Sequence, residues 1–252
     1  MGIISRIRAR LTRGRIEEER AQGRHFVRDY TKLMEDLLQI HPPDEAMRLA
    51  VGGRYEEMGL IEKQVIEYAG FRQGMRLLDF GCGSGRLAWA LKDTPVRYTG
   101  MDIMPELLAY AKSKVPDSFS FVLNQERSIP LPNESFDMVC AFSVLTHLLD
   151  VEGYTYLQEM RRILKPDGAI VFSFLEIDPH WGIFVTTARR VAEGHPGHLN
   201  TFLNRPAIER WSKELGMRLV EFVDHNAAPW QGAPLGQSLV ILRKQEAAKR
   251  QG

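Results

Sequence analysis

The alternation of hydrophobic and polar positions along the chain predicts strands that alternate with helices. Short apolar runs of strand length lie at Met75–Phe80, Val96–Met101, Phe119–Leu123 and Ala169–Leu175. Apolar residues at helical spacing follow the first of these runs from Leu87 onward and recur in Pro105–Val115, Glu152–Leu164 and Pro206–Leu215. Because strands and helices alternate over most of the chain, the pattern predicts an α/β fold.

The segment from Leu77 to Leu87 is the most informative part of the chain for function. It reads LLDFGCGSGRL, a buried strand followed by glycines at alternate positions, Gly81, Gly83 and Gly85. Glycine allows positive φ and lets a ligand approach the main chain closely. The first N–H groups of the following helix then face that ligand. The segment therefore predicts a ligand-binding loop rather than a plain turn.

The spacing of the glycines indicates which ligand the loop binds. The dinucleotide fingerprint G-x-G-x-x-G would require a glycine where the chain has Arg86. Asp79, directly before the loop, suits a cationic or amino-bearing ligand better than a diphosphate. A nicotinamide oxidoreductase is therefore disfavoured. Asp102 ends the next strand, about 20 residues past the loop, where a carboxylate accepts hydrogen bonds from ribose hydroxyls. A helix N-cap is the alternative role for this residue.

These motifs resemble those of the class I S-adenosylmethionine-dependent methyltransferases. The resemblance covers Tyr68–Leu175, and its most specific parts are Leu78–Gly85 and Ser135–Val139. Two later segments, Gly216–Glu221 and Gln237–Arg243, look like the last two strands of the family. The resemblance implies a Rossmann-like, mainly parallel seven-stranded sheet with helices on both faces and one antiparallel strand near its edge. It also implies S-adenosyl-L-methionine as the cofactor.

The resemblance further implies a set of cofactor-binding residues. Gln125 stands where the family often has an aspartate that accepts from the adenine amino group, and a glutamine carbonyl accepts the same bond. Tyr55, just after Gly52 and Gly53, is predicted to cover the methionine end of the cofactor, and a core tyrosine is the alternative. The full predicted set is Tyr55, Asp79, Gly81, Cys82, Gly83, Arg86, Asp102, Ile103, Gln125, Glu126 and Phe142.

Two residues are predicted to take part in catalysis. His147 follows the fourth strand, near the ligand crevice of an open α/β sheet, and histidine titrates near neutrality, so it is the first candidate for a general base. A helix-start histidine without a catalytic role is the alternative. Glu176, just past the fifth strand, is predicted to orient or assist this base. The predicted function is methyl transfer to a small molecule or glycan, at oxygen. N-methylation, RNA or protein methylation and a cofactor-binding regulatory protein without catalysis are the alternatives.

The chain is expected to divide into a helical N-terminal extension, residues 1–70, and a methyltransferase domain, residues 71–245. The long connection 177–204 is predicted to be a lid-like insertion, because connections of this length are usually functional lids or disordered segments. Its aromatic side chains would form walls for the methyl acceptor. A stripe of apolar residues in the extension, from Phe26 to Leu37, is predicted to be core packing.

The start of the chain has a different pattern. Ile4, Ile7 and Leu11 share one helical face and are surrounded by arginines. This pattern suits a short basic helix on an acidic membrane surface, but the favoured interpretation is a solvated N-terminal helix that packs against the domain or frays.

Composition and charge exclude several other classes of protein. The 33 basic and 32 acidic residues give a formal net charge of +1, so nothing global favours a nucleic-acid partner. Cys82 and Cys140 form neither a disulfide framework nor a zinc spacing, and His195 and His198 lack a carboxylate cluster, so no metal is predicted. Without a long apolar stretch or a signal-peptide core, the expected location is the cytoplasm, with the basic helix as a contact to the inner face of the membrane.

Overall fold

The computed structural model describes residues 25–194 and 199–245, and these residues form one seven-stranded sheet. The strand order is β3-β2-β1-β4-β5-β7-β6. The first five strands pair in parallel, whereas β7 runs antiparallel to both of its neighbours, β5 and β6. The strands are β1 (Arg76–Phe80), β2 (Arg97–Asp102), β3 (Ser120–Leu123), β4 (Phe136–Ala141), β5 (Leu164–Phe174), β6 (Met217–Val223) and β7 (Ser238–Lys244). This topology confirms the predicted Rossmann-like sheet.

Eight α-helices are described, three of them before the first strand. They are α1 (His25–Ile40), α2 (Pro43–Leu49), α3 (Tyr55–Tyr68), α4 (Arg86–Leu91), α5 (Pro105–Ser113), α6 (Asp150–Ile163), α7 (Trp181–Ala192) and α8 (Arg205–Glu214). A 3₁₀ turn, Leu145–His147, follows β4. The extension before β1 is therefore helical over its described part, as the sequence predicts.

The helices cover both faces of the sheet. Successive side chains of a strand point to opposite faces. On β1, Leu78 and Phe80 therefore enter one hydrophobic core and Leu77 enters the other. The first core joins the sheet to α6 and α8, and the second joins it to α3 and α4. Because both faces are buried, the parallel strands are apolar along most of their length.

Strand β5 begins earlier than the sequence indicates. The segment Lys165–Gly168 is predicted to break the chain between a helix and the strand at Ala169. In the structure α6 ends at Ile163 and β5 starts at once, because Leu164 already pairs with Phe136 of β4. The register then shifts so that Ala169 pairs with Met138, and the four residues between form an irregularity within the strand.

The long connection 177–204 contains a helix that the sequence pattern did not reveal. Helix α7 has no buried residue, so it is not part of either hydrophobic core. The basic segment at the start of the chain, with Ile4, Ile7 and Leu11, lies outside the described residues, as do His195 and His198. Among the described helices, none is long and apolar enough to cross a membrane.

Candidate active site

A cavity of about 390 Å³ lies at the carboxyl ends of β1, β2 and β4. Strand order changes direction between β1 and β4, and this is the position where open α/β sheets bind their ligands. Most of the predicted cofactor-binding residues line the cavity, namely Asp79, Gly81, Cys82, Gly83, Arg86, Asp102, Ile103 and Phe142. The fold thus brings together residues from three strand ends that are far apart in the chain.

The loop between β1 and α4 follows the cavity with its main chain. The φ values of Gly81, Gly83 and Gly85 are +74°, +54° and +82°. Residues that carry a side chain rarely adopt this backbone conformation. A Cβ atom on Gly81 would lie 2.3 Å from Val144 Cγ2, and one on Gly83 would lie 2.4 Å from Val51 Cγ1. Both valines line the cavity. Glycine is therefore required at these positions both for the turn and for the close packing around it.

Asp102 fixes the glycine loop to the end of β2. Its carboxylate accepts hydrogen bonds from the backbone N–H of Gly83 at 2.8 Å and of Met104 at 3.0 Å. Burial raises the pKa of Asp102, and the backbone N–H donors partly offset this rise because they stabilise the ionised form. The carboxylate is buried, lines the cavity and has oxygen lone pairs for further donors, such as ribose hydroxyls.

Asp79 provides a second buried acid at the end of β1. The hydroxyl of Tyr98 donates to its carboxylate at 2.6 Å, and the thiol of Cys140 lies 3.7 Å away. Burial raises the pKa of Asp79 to about 7. A cationic ligand nearby would stabilise the ionised carboxylate and lower this pKa. Asp79 therefore suits a ligand with an ammonium or sulfonium group, as its position before the glycine loop predicts.

Arg86, the first residue of α4, forms a buried ion pair with Glu62 of α3. Its Nη2 and Nε lie 2.5 and 2.7 Å from Glu62 Oε1, and its Nη1 donates to the carbonyl oxygen of Val51 at 2.6 Å. Burial raises the pKa of Glu62, and the charge of Arg86 opposes that rise. Both side chains line the cavity. The guanidinium is thus already neutralised inside the protein, which further disfavours a diphosphate ligand.

His147 lies on the 3₁₀ turn after β4 and lines the same cavity. Its Nδ1 is 3.1 Å from the carbonyl oxygen of Leu199. A carbonyl oxygen can only accept, so Nδ1 bears the proton in the neutral ring and Nε2 bears the lone pair. The ring of Tyr30 packs edge-on against the imidazole, with 5.7 Å between the two ring centroids. The structure therefore orients this histidine from two sides.

Helix α1 forms one wall of the cavity, a role that the sequence did not reveal. Phe26, Tyr30, Leu33 and Leu37, spaced by four, three and four residues, line the cavity, and Met34 is buried in a separate small core. The predicted stripe of core packing is therefore partly a ligand-facing surface. The spacing of apolar residues shows that one face of a helix is shielded from water, but it does not show whether protein or ligand shields it.

Asn124, rather than Gln125 or Glu126, lines the cavity at the end of β3. Strand β3 ends at Leu123, which pairs with Asp102 at the end of β2. Asn124 therefore lies beside the cavity, whereas Gln125 turns away from it. Gln125 is exposed and donates to the carbonyl oxygen of Ile103 at 2.9 Å. The role of Gln125 toward the adenine stays a prediction, and Asn124 is the residue of this segment that lines the cavity.

Tyr55 and Glu176 support the cavity from behind its lining. The hydroxyl of Tyr55, at the start of α3, donates to the carbonyl oxygen of Ser84 in the glycine loop at 2.9 Å, and the ring is buried. Glu176 lies just after β5 and pairs with Arg205, at 3.1 Å from Nε to Oε1. Neither residue lines the cavity. Their predicted contacts with the cofactor or the base stay predictions, and the contacts that the structure shows are with other protein groups.

The comparisons with known proteins agree with this geometry. Residues 78–172 match the family model described as "Methyltransferase domain". A sterol 24-C-methyltransferase of Gibberella zeae is 30% identical over 163 residues, which are 61% of this chain and 42% of that protein. A ubiquinone biosynthesis O-methyltransferase of Cereibacter sphaeroides is 31% identical over 110 residues, 42% of this chain and 44% of that protein. The chain thus spans less than half the length of these two curated relatives.

A solved structure shares the fold of the whole domain. The S-adenosylmethionine-dependent methyltransferase of Mesorhizobium loti has 19% sequence identity and a TM-score of 0.58, over 73% of this chain and 98% of that chain. Residues 78–172 thus match a methyltransferase domain, and the sheet order and the glycine loop agree with that match. Among residues 25–194 and 199–245, no cluster of side chains could bind a metal ion.

Proposed function

We propose that this chain transfers the methyl group of S-adenosyl-L-methionine to an oxygen atom of a small molecule or glycan. The observation that carries this proposal is the position of His147. It lies in the same cavity as Gly83 and Asp102, and Leu199 orients its ring. A cofactor site with an oriented imidazole beside it suits an acceptor that must lose a proton, as a hydroxyl does.

The residues of the cavity fit the cofactor. The main chain at Gly81 and Gly83 allows close approach, Asp102 can accept from the ribose, and Asp79 can balance a positive charge. Asn124 lines the cavity at the end of β3, and hydrogen bonds to the main chain at Glu126 and Ser128 hold its amide in place. When bound, S-adenosyl-L-methionine supplies a methyl carbon that is already activated by its positively charged sulfur.

The chain's own contribution to the reaction is positioning and proton removal. The cavity walls orient the acceptor for in-line attack. A reaction between two molecules then becomes effectively unimolecular, which lowers its entropic cost. As the acceptor oxygen attacks, its proton passes to Nε2 of His147. The bond between Nδ1 and the carbonyl oxygen of Leu199 remains in place and stabilises the imidazolium that forms.

The names of the relatives support methyl transfer, but they do not agree on whether the methyl group goes to oxygen or to carbon. One relative is an O-methyltransferase, and another is a sterol C-methyltransferase. An oxygen acceptor is favoured by His147. Transfer to RNA is disfavoured by the balanced charge of the chain. The remaining alternatives are N-methylation, methylation of a protein, and a regulatory protein that binds the cofactor without turnover.

Binding and turnover can be tested in one experiment. We expect calorimetry to show binding of S-adenosyl-L-methionine and S-adenosylhomocysteine and no binding of NADH. With methyl-labelled cofactor, label should appear on hydroxyl-bearing members of a panel of phenols, alcohols and sugars. Binding of NADH instead would exclude the proposed cofactor chemistry. Cofactor binding with transfer only to amines would place the reaction at nitrogen, and cofactor binding with no transfer would favour the regulatory alternative.

We also propose that the N-terminal segment contacts an acidic membrane surface. Support comes from the sequence alone, since Ile4, Ile7 and Leu11 lie among arginines and fall outside the described residues. Vesicles that contain acidic lipid should bind the full chain, and salt should release it. A chain that lacks residues 1–15 should not bind them but should bind the cofactor unchanged. Equal vesicle binding by both chains would support a solvated helix instead.

A further inference from the structure

The turn before β7 places one polar side chain in the cavity that the reaction described above does not use. Gln237 lines the cavity together with Ser143, His147 and Asn200. Its Nε2 donates to Ser143 Oγ at 3.1 Å. Its Oε1 is buried and has no hydrogen-bond partner among the described residues. A buried carbonyl oxygen without a donor is costly, and native proteins retain such groups mainly where a ligand supplies the partner.

The turn that presents Gln237 is firmly anchored on both sides. The hydroxyl of Ser238 donates to Glu176 Oε2 at 2.5 Å, and Arg205 binds the same carboxylate. The imidazole Nε2 of His180 lies 3.2 Å from the carbonyl oxygen of Gly236. Glu176 is therefore a positioning residue for this turn. These contacts hold the main chain on both sides of Gln237 in place.

The partner of Gln237 is itself in a strained conformation. Ser143 lies two residues after the end of β4. Its φ is +58°, a backbone conformation that residues other than glycine rarely adopt. Its backbone N–H donates to Ser173 Oγ at 2.7 Å, which stabilises this conformation. Strain of this kind at a cavity wall is typical of groups placed for a ligand.

We propose that Gln237 Oε1 accepts a hydrogen bond from the methyl acceptor and selects for molecules with a second hydroxyl in addition to the one that is methylated. The inference rests on the proposed function, since it assigns one hydroxyl to His147 and the other to Gln237. Phe26, Leu33 and Leu37 of α1 face the same cavity. The acceptor class that matches these walls is a molecule with two hydroxyls on an apolar skeleton.

Catechol and o-cresol form a matched pair of probes, because a methyl group replaces one hydroxyl at nearly constant size. Each is titrated calorimetrically into the full chain saturated with S-adenosylhomocysteine. The wild-type protein should bind catechol roughly 5- to 10-fold more tightly than o-cresol, the effect of one neutral hydrogen bond. Gln237→Met should abolish this preference. Gln158→Met, on the exposed side of α6, should retain it.

Thermal stability separates a binding role from a structural one. If Oε1 awaits a ligand donor, Gln237→Met removes a buried carbonyl without a partner together with the hydrogen bond to Ser143 Oγ. Because these two losses act in opposite directions, the melting temperature of the free protein should change little. Equal wild-type affinities for the two probes, or an unchanged preference in Gln237→Met, would overturn the proposal. A fall in melting temperature with the preference intact would assign Gln237 a purely structural role. Failure to bind S-adenosylhomocysteine at all would instead contradict the proposed function, and a preliminary titration reveals this separately.

Discussion

Replacement of Asp102 by alanine should weaken binding of S-adenosyl-L-methionine by roughly 10- to 100-fold while the protein remains folded. Hydrogen bonds to a charged group contribute about 1.5–3 kcal/mol, and 1.4 kcal/mol corresponds to a tenfold change in affinity. In this chain the loss has two parts. The ribose would lose its acceptor, and the backbone N–H of Gly83 would lose the carboxylate that fixes the glycine loop to β2. Calorimetric titration of the variant with the cofactor measures the total loss of affinity from both parts.

Asp137 offers a matched control for this prediction. Its carboxylate also accepts from a backbone N–H of a neighbouring strand, that of Arg76 at 2.8 Å, and it pairs with Lys165 at 2.7 Å. It does not line the cavity. Asp137→Ala should therefore lower stability but leave the affinity for the cofactor close to that of the wild-type protein. Equal losses of affinity in both variants would show that the effect of Asp102 arises from general loosening of the sheet.

The sequence predicts the cofactor end of the cavity well because its signals are local. The glycine loop is contiguous with its strand and helix, and the position of Asp102 follows from the length of one helix and one strand. Each of these features needs only the order of elements along the chain and the rule that ligands bind at the carboxyl ends of parallel strands. The antiparallel strand β7 is also confirmed, but its prediction came from the resemblance to a known family and not from a local pattern.

The acceptor end depends on contacts between distant parts of the chain and could not be predicted in detail. Gln237 lies 94 residues from Ser143, and only the antiparallel insertion of β7 next to β5 brings them together. Glu176 has the composition of a catalytic acid, but its role is set by Arg205, which no local pattern links to it. The exchange of Gln125 for Asn124 has another cause, since strand ends are uncertain by a residue or two in any sequence-based reading.

The second large effect concerns the chemical step. Removal of the imidazole in His147→Ala should slow methyl transfer to a hydroxyl acceptor by roughly 10²–10⁴-fold, the usual contribution of a general base. Cofactor affinity should change little, because the glycine loop and Asp102 do not depend on this side chain. A neutral hydroxyl is a weak nucleophile, and a base that accepts its proton acts only as the oxygen begins to attack. Single-turnover rates with labelled cofactor measure this step directly.

The pH dependence distinguishes a base from a merely structural histidine. Histidine ordinarily protonates near pH 6.5, so the wild-type rate should fall below that pH and the fall should be absent in His147→Ala. Asp79 also titrates, at about pH 7, and its protonation would weaken binding of a cationic cofactor as pH falls. The rate must therefore be measured at saturating cofactor, where kcat reports only groups that titrate in the complex. His41→Ala, outside the cavity, should retain the wild-type profile. A rate close to wild type in His147→Ala, with the acid limb intact, would show that positioning of the acceptor suffices without this base.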